Sequence, residues 1–113
     1  MALSILLSFQ TWLNNNPLKE HCESGWRKYK RIVCNDGFSM SVQASENMYC
    51  LPKALLSDAN WYTHFEVGFP STHEVTFASY AEDLLNPTET VYAYVPAYFI
   101  QQTIDLHGGI KND

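Results

Sequence analysis

The sequence predicts an α+β fold, in which one antiparallel sheet of four to five strands carries an N-terminal and a C-terminal helix packed on one face. Apolar residues recur at helical spacing near both ends of the chain. Between them, three segments alternate apolar and polar residues, and Asn, Asp, Gly or Pro separate these segments. The length of 113 residues suits one core, so residues 1–113 are expected to form a single α+β domain.

Both helices are predicted from apolar stripes that end at stop signals. The first is expected from Ser4 to Leu13, before Asn14-Asn15-Asn16-Pro17, because Asn tolerates the left-handed cap conformation and Pro cannot continue a helix. The second is expected from Ala97 to His107, with Pro96 at its first turn and Gly108-Gly109 at its C-terminal cap. Its apolar stripe comprises Phe99, Ile100, Thr103, Ile104 and Leu106.

A β-hairpin is predicted between Trp26 and Ala44. Residues Trp26 to Cys34 have strand character, Asn35-Asp36-Gly37 is typical of a tight turn, and Phe38 to Ala44 alternate. The residues expected to face the core are Phe38, Met40, Val42 and Ala44, and those expected to face solvent are Ser39, Ser41, Gln43 and Ser45.

The rest of the sheet is expected from three segments that follow the hairpin. The predicted strands are Trp61–Phe69, a weaker edge strand His73–Tyr80, and Thr90–Val95. The connections are Glu46–Asn60, with a short helical turn at Ala54–Leu56, and the turn-rich segment Ala81–Glu89. Alternation places on the outward face Tyr62, His64, Glu66, Gly68, Tyr92 and Tyr94, and on the inward face Trp61, Thr63, Phe65, Val67, Phe69, Val91, Ala93 and Val95.

Charge is distributed unevenly along the chain, which has a formal net charge of −5. From Asp36 onward, ten acidic residues face two lysines, a local net charge of −8. Such a segment repels phosphate backbones and favours basic partners, although the same charge can serve solubility alone.

Cysteine usage and the absence of targeting signals indicate a cytoplasmic protein. Three cysteines at Cys22, Cys34 and Cys50 make a poor disulfide framework. The apolar start lacks a basic region and a cleavage site, and no run approaches the roughly 20 apolar residues of a membrane span. We therefore expect no membrane association.

Catalytic and metal-binding patterns are weak. His64 with Glu66, and His73 with Glu74, could form an acid–base pair, and Cys34 or Cys50 could act as a thiol nucleophile with His64 as its base. Zinc sites need closely paired ligands, whereas the cysteines here are 12 and 16 residues apart. The glycines form no phosphate-binding fingerprint. We expect no enzyme, no catalytic residues, no cofactor and no metal.

One basic stretch offers an alternative function. Basic residues interleaved with aromatics can bind single-stranded nucleic acid by charge and stacking. The residues are Trp26, Arg27, Lys28, Tyr29, Lys30 and Arg31. Lys and Arg that protect an edge strand from aggregation explain the same pattern, so direct nucleic-acid binding is the lesser hypothesis.

An acidic, tyrosine-rich surface is the preferred binding site. Tyr combines an apolar ring with a polar tip and is typical of protein interfaces, although it also favours strands. The predicted partner-binding residues are Tyr62, His64, Glu66, Glu82, Asp83, Glu89, Tyr92 and Tyr94.

Several short motifs resemble a group of small uncharacterised phage and prophage proteins. They are the series from Cys34 to Ala44, Glu66–Ser71, Tyr80–Asp83, Pro87–Tyr92, Tyr94–Pro96 and His107–Ile110. This resemblance covers roughly residues 34–110 and implies a phage genome context, without any catalytic residue to transfer. By analogy of context, it implies a non-enzymatic inhibitor that occludes a host protein complex, such as a CRISPR effector, in the manner of anti-CRISPR proteins.

Overall fold

A computed structural model describes residues 8–18 and 28–111 of the chain. Its helices and strands are α1 (Phe9–Asn14), β1 (Ile32–Val33), β2 (Ser39–Gln43), β3 (His64–Gly68), β4 (Val91–Pro96) and α2 (Ala97–Leu106). Two 3₁₀ segments lie at Ala59–Trp61 and Val75–Tyr80. The α+β class is confirmed. The starts predicted at Ser4 and Trp26 lie outside the described residues. The placement of both helices on one face and the single domain over the whole chain stay predictions.

The four strands form one antiparallel sheet in the order β1-β2-β3-β4. Val42 on β2 lies opposite Val67 on β3, and Phe65 on β3 lies opposite Val95 on β4. All four side chains are fully buried. The alternation in the sequence therefore predicted the core-facing positions of β2 and β3 correctly.

Segments outside the strands pair with the outer sides of β1 and β4. Residues 109–111 run beside β1, and residues 81–82 run beside β4. The backbone hydrogen bonds involved are Asn35 N–H to Gly109 O (2.9 Å), Lys111 N–H to Val33 O (2.8 Å) and Glu82 N–H to Val91 O (2.9 Å). These bonds use backbone groups that an uncovered edge strand would leave available to another chain.

The helix α1 is tied to both the sheet and α2. Ser8 caps α1 by accepting a hydrogen bond from the amide three residues later. Phe9 and Leu13 are buried, and the Phe9 ring meets the Phe65 ring edge-on with centroids 5.1 Å apart. The Phe9 amide donates to Oε1 of Gln101 on α2 over 2.9 Å.

The helix α2 buries Ile100, Thr103 and Ile104, as the apolar stripe predicted. Gly108 and Gly109 follow it with φ values of 86° and 88°, in the left-handed region that favours glycine, and this confirms the predicted cap. Leu106 was predicted to lie in the stripe, but its side chain is 69% exposed, because it lies at the last helical position, beyond the buried turns.

Two of the predicted elements between β2 and β4 are wrong. The segment His73–Tyr80 forms no strand: its second part is a 3₁₀ segment that Glu74 caps, since the Glu74 carboxylate accepts hydrogen bonds from the amide and hydroxyl of Thr76. No helical turn forms at Ala54–Leu56; the short helical element lies at Ala59–Trp61, capped by Asp58.

A β-bulge changes the orientation of β4. Phe65 pairs with Val95 and Val67 pairs with Tyr92, so the one intervening residue of β3, Glu66, lies opposite two residues of β4, Ala93 and Tyr94. Tyr94 adopts a positive φ of 55° within this bulge. Tyr92 is therefore turned into the core and fully buried, and the prediction that it faces outward is wrong.

Alternation also fails at the ends of the strands. Tyr62 lies before β3 begins and is buried, whereas Trp61 and Phe69, both predicted to face inward, are exposed. Gln43 and Ser45 were predicted to face solvent and are buried. Strict alternation holds only where the chain is in a regular strand, and these residues lie at or beyond strand ends.

Candidate functional site

The predicted partner-binding residues fall into three groups in the structure. Two are buried tyrosines, Tyr62 and Tyr92. A second group, on and beside β3 and β4, contains His64, Glu66 and Tyr94. The third group contains Glu82, Asp83 and Glu89, in the connection before β4.

The buried tyrosines support the loops around them. The Tyr62 hydroxyl accepts a hydrogen bond from the Leu56 amide (2.8 Å) and donates to Ala54 O (2.5 Å). The Tyr92 hydroxyl donates to Pro87 O over 2.5 Å, and burial raises the pKa of Tyr92. Because neither ring reaches the surface, Tyr62 and Tyr92 are not available to contact a partner.

The second group lies beside Tyr49, which sequence reasoning missed. The Tyr49 amide donates to Oε1 of Glu66 over 3.1 Å, and Tyr49 O accepts from the Tyr94 amide over 3.0 Å. The rings of Tyr49 and Tyr94 lie with centroids 5.9 Å apart and are 40% and 37% exposed. Lys53 places its Nζ 5.2 Å from the Tyr49 ring centroid. Because Tyr49 lies in an irregular loop, no periodic pattern could have pointed to it.

The third group lies in a loop of residues 82–90, here named the acidic loop. Asp83 organises this loop: its carboxylate accepts hydrogen bonds from the Asn86 side chain (2.8 Å) and the Leu85 amide (3.1 Å). Those two bonds lower the pKa of Asp83. The Asp83 amide donates to Thr90 Oγ1 over 3.1 Å, across the base of the loop. All three carboxylates of the loop are exposed, but only Asp83 holds the shape of the loop through its hydrogen bonds, which leaves Glu82 and Glu89 as the charges with no such role.

Two leucines form the apex of the acidic loop. Leu84 and Leu85 are 67% and 89% exposed, and Leu85 is the most exposed large apolar side chain of the described residues. The amide of Asn86 donates back to Asp83 O over 3.2 Å, so the leucines occupy the two central positions of a turn. Sequence reasoning identified a turn here but missed the leucines. Their residue type could have drawn attention to Leu84 and Leu85, because the central positions of a turn usually hold Gly, Pro, Asn, Asp or Ser.

The basic stretch is only partly described, since Trp26 and Arg27 lie outside the described residues. Tyr29 is buried, so it cannot stack on a nucleic-acid base. Arg31 donates from Nε to Ser39 Oγ (2.9 Å) and from Nη2 to Ser39 O (3.2 Å) and Phe69 O (2.5 Å). Its guanidinium therefore binds the protein's own backbone.

The carboxylates and histidines predicted as acid–base partners are combined differently. Glu74 contacts His107, whose Nε2 lies 2.8 Å from Glu74 Oε1 and whose Nδ1 lies 2.5 Å from Asp36 Oδ2. The His107 ring stacks on Phe38 with centroids 4.2 Å apart. Both ring nitrogens of His107 are engaged, so this arrangement ties elements together and leaves no nitrogen for a substrate. His64 instead shares a 2.8 Å hydrogen bond with its neighbour, Thr63 Oγ1.

The described cysteines are packed side chains. Cys34 and Cys50 are fully buried. Burial, with a smaller contribution from the charge of Asp36, raises the pKa of the Cys34 thiol to about 11. The Cys50 thiol donates to Ser45 O over 3.1 Å. A nucleophilic thiol needs a stabilised thiolate and access to substrate, so neither environment suits one.

The described residues contain neither a metal-binding cluster nor a membrane-spanning helix. Within residues 8–18 and 28–111, no group of three or more His, Cys, Asp and Glu side chains could hold a metal ion. No helix in the same ranges is both long and apolar enough to cross a bilayer.

Comparison with known proteins gave no relative. No protein-family model, curated protein or solved structure matches this chain.

Proposed function

We propose that this protein is a non-enzymatic binding protein that acts by occlusion, with the acidic loop as its main contact surface. The observation that carries the proposal is the loop itself: Glu82 and Glu89 are exposed on a turn that Asp83 holds in shape. An exposed loop on a rigid scaffold is a common location for binding residues.

Charge defines the kind of partner. Between Lys53 and Lys111 the chain contains seven acidic residues and no lysine or arginine. Both ion pairs found among the described residues involve His107, so Glu82 and Glu89 take part in neither. The exposed carboxylates of Glu82 and Glu89 on the acidic loop attract a basic protein surface and repel nucleic acid.

The proposed biological role follows from the resemblance to phage and prophage proteins. In that context, the basic surface belongs to a host defence complex in the bacterial cytoplasm, such as a CRISPR effector that binds nucleic acid. Carboxylates that cover this surface would prevent the effector from binding nucleic acid, and no catalytic step would be needed. The described part of the basic stretch, with Tyr29 buried and Arg31 engaged, offers little support to the alternative of direct nucleic-acid binding.

An affinity pull-down tests this proposal. The tagged protein is incubated with a nuclease-treated bacterial lysate that contains CRISPR effector complexes, at low and high salt, and bound proteins are quantified by mass spectrometry. We expect an effector subunit in stoichiometric amount. Reversal of both exposed charges, Glu82→Lys with Glu89→Lys, should reduce recovery at low salt by about tenfold, because rim charges mainly increase the association rate.

A charge-matched variant provides the control. Glu46→Lys with Asp105→Lys gives the same net charge at two exposed positions outside the acidic loop, and its recovery should stay close to that of the wild type. Equal losses of effector recovery from both double variants would show that binding depends on net charge alone. That result would contradict a specific binding surface. Recovery of nucleic acid alone, lost at high salt, would favour the basic stretch instead.

A further inference from the structure

We propose that Leu84 and Leu85 form an apolar plug that enters an apolar pocket rimmed by Lys or Arg on the partner protein. This inference rests on the proposed function, and it assigns the residues that provide affinity and the chemistry of the surface that receives them. The charge pattern alone does not identify Leu84 and Leu85 as residues that provide binding energy.

The residue types at the apex are unusual for a turn. Central turn positions are most often Gly, Pro, Asn, Asp or Ser, and an apolar leucine side chain makes none of the local hydrogen bonds with which Asn, Asp and Ser stabilise a turn. Leaving two adjacent leucines 67% and 89% exposed also forgoes the stabilisation that burial would give. Local rules are broken in this way mainly where a residue serves a function.

The apex is held rigid from both sides of the loop. Asp83 fixes the turn through the Leu85 amide, and the Glu89 amide donates to Asn86 O over 3.0 Å. From the core, the Tyr92 hydroxyl donates to Pro87 O. A loop that is already ordered loses little entropy on binding, so burial of the two leucines contributes more fully to affinity.

The shape and charge of the acidic loop indicate which kind of partner surface can bind it. The leucines project from a convex turn, so a partner must offer a concave apolar pocket to remove them from water. Glu82 and Glu89 flank the turn in sequence and are exposed. Carboxylates at the rim of a buried apolar contact are best matched by Lys or Arg around the pocket.

A display selection with a folded domain tests the plug without knowledge of the natural partner. The full-length protein is presented to a yeast-displayed library of a small folded domain whose pocket-lining residues are randomised, at low and moderate salt, and enriched domains are titrated against variants. We expect enriched sequences to combine apolar residues with Lys or Arg. Leu84→Ser with Leu85→Ser should weaken their binding by at least about tenfold at both salt concentrations, because the loss is of apolar burial. Glu82→Gln with Glu89→Gln should weaken binding mainly at low salt.

The matched control is Leu55→Ser with Leu106→Ser, which removes two leucines that are 47% and 69% exposed elsewhere on the surface. All the substituted leucines are solvent-exposed, so thermal unfolding should show that each variant folds as the wild type does. Enriched domains that bind the Leu84, Leu85 variant as tightly as wild type would overturn the plug. A selection that yields no pocket-bearing domain dependent on these leucines would also overturn it. Neither result would affect the pull-down, whose own failure would contradict the proposed function.

Discussion

At the scale of single residues, His107 contacts two carboxylates, Asp36 and Glu74, and its ring stacks on Phe38. Partial burial opposes its charged form, but hydrogen bonds to Glu74 and Asp36 outweigh burial and raise the pKa of His107. A backbone hydrogen bond from Phe38, together with His107, lowers the pKa of Asp36. Burial would raise the pKa of Glu74, but hydrogen bonds from His107 and Thr76 lower it overall.

These shifts predict a stability contribution that is largest at mildly acidic pH. A raised histidine pKa stabilises the fold fully below its ordinary value of 6.5, and the effect is lost as pH rises through the folded-state pKa. Lowered carboxyl pKa values stabilise the fold above their ordinary values of 3.8 and 4.5, and that effect is lost as pH falls through the folded-state values. The difference in the free energy of unfolding between wild type and His107→Gln should therefore be largest between the ordinary carboxyl pKa of 4.5 and the ordinary histidine pKa of 6.5.

Chemical denaturation at a series of pH values measures this difference. His73→Gln is the control, since His73 is exposed, and its profile should run parallel to that of the wild type. A constant difference between wild type and His107→Gln from pH 4 to pH 9 would show that the ring acts only by stacking on Phe38.

At the scale of structural elements, the Gln43 side chain links the segment around Tyr29 to β2. The Gln43 amide group accepts from Tyr29 N–H over 2.8 Å and donates to Tyr29 O over 2.9 Å, and both bonds are buried. This arrangement imitates the pairing of a strand and explains why a position predicted to face solvent is buried.

Removing this link should destabilise the protein. Gln43→Ala deletes two buried hydrogen bonds to the backbone, at a cost of about 1–3 kcal/mol in the free energy of unfolding. Gln102→Ala, at an exposed position of α2, is the control and should have little effect. Urea denaturation that gives equal values for the two variants would contradict a structural role for Gln43.

The parts of the fold that could be predicted from the sequence are those determined by residues close together in the chain. The apolar alternation of β2 and β3 and the glycine cap of α2 follow from nearby residues and were predicted correctly. The bulge at Tyr94 depends on pairing between β3 and β4, which alternation within one strand cannot reveal. The wrong orientation of Tyr92 follows from that limit.

The same distinction applies to the candidate site. Its charges, Glu82, Asp83 and Glu89, were identified because charge can be counted along the chain. Their different roles were not, since the role of Asp83 depends on the hydrogen bonds it accepts in the folded loop. Leu84 and Leu85 were missed because apolar residues are ordinarily expected inside.

At the scale of the whole molecule, both outer strands of the sheet pair with further segments of the chain. Residues 109–111 and 81–82 pair beside the outer strands, so the described structure offers little edge for a partner to extend by adding a strand. Six of the seven Lys and Arg residues lie at or before Lys53, and residues 54–110 contain seven acidic residues and no Lys or Arg. Under the proposed function, this charge distribution favours the acidic loop as the contact for a basic partner.

Amide hydrogen exchange of the protein, alone and in complex with the partner recovered by pull-down, tests this account most directly. The account predicts that binding slows exchange mainly in residues 82–90, including the amides of Leu84 and Leu85. Protection confined to the region of Tyr49 and Tyr94, or to residues 28–31, with residues 82–90 unchanged, would contradict the claim that the acidic loop is the binding surface.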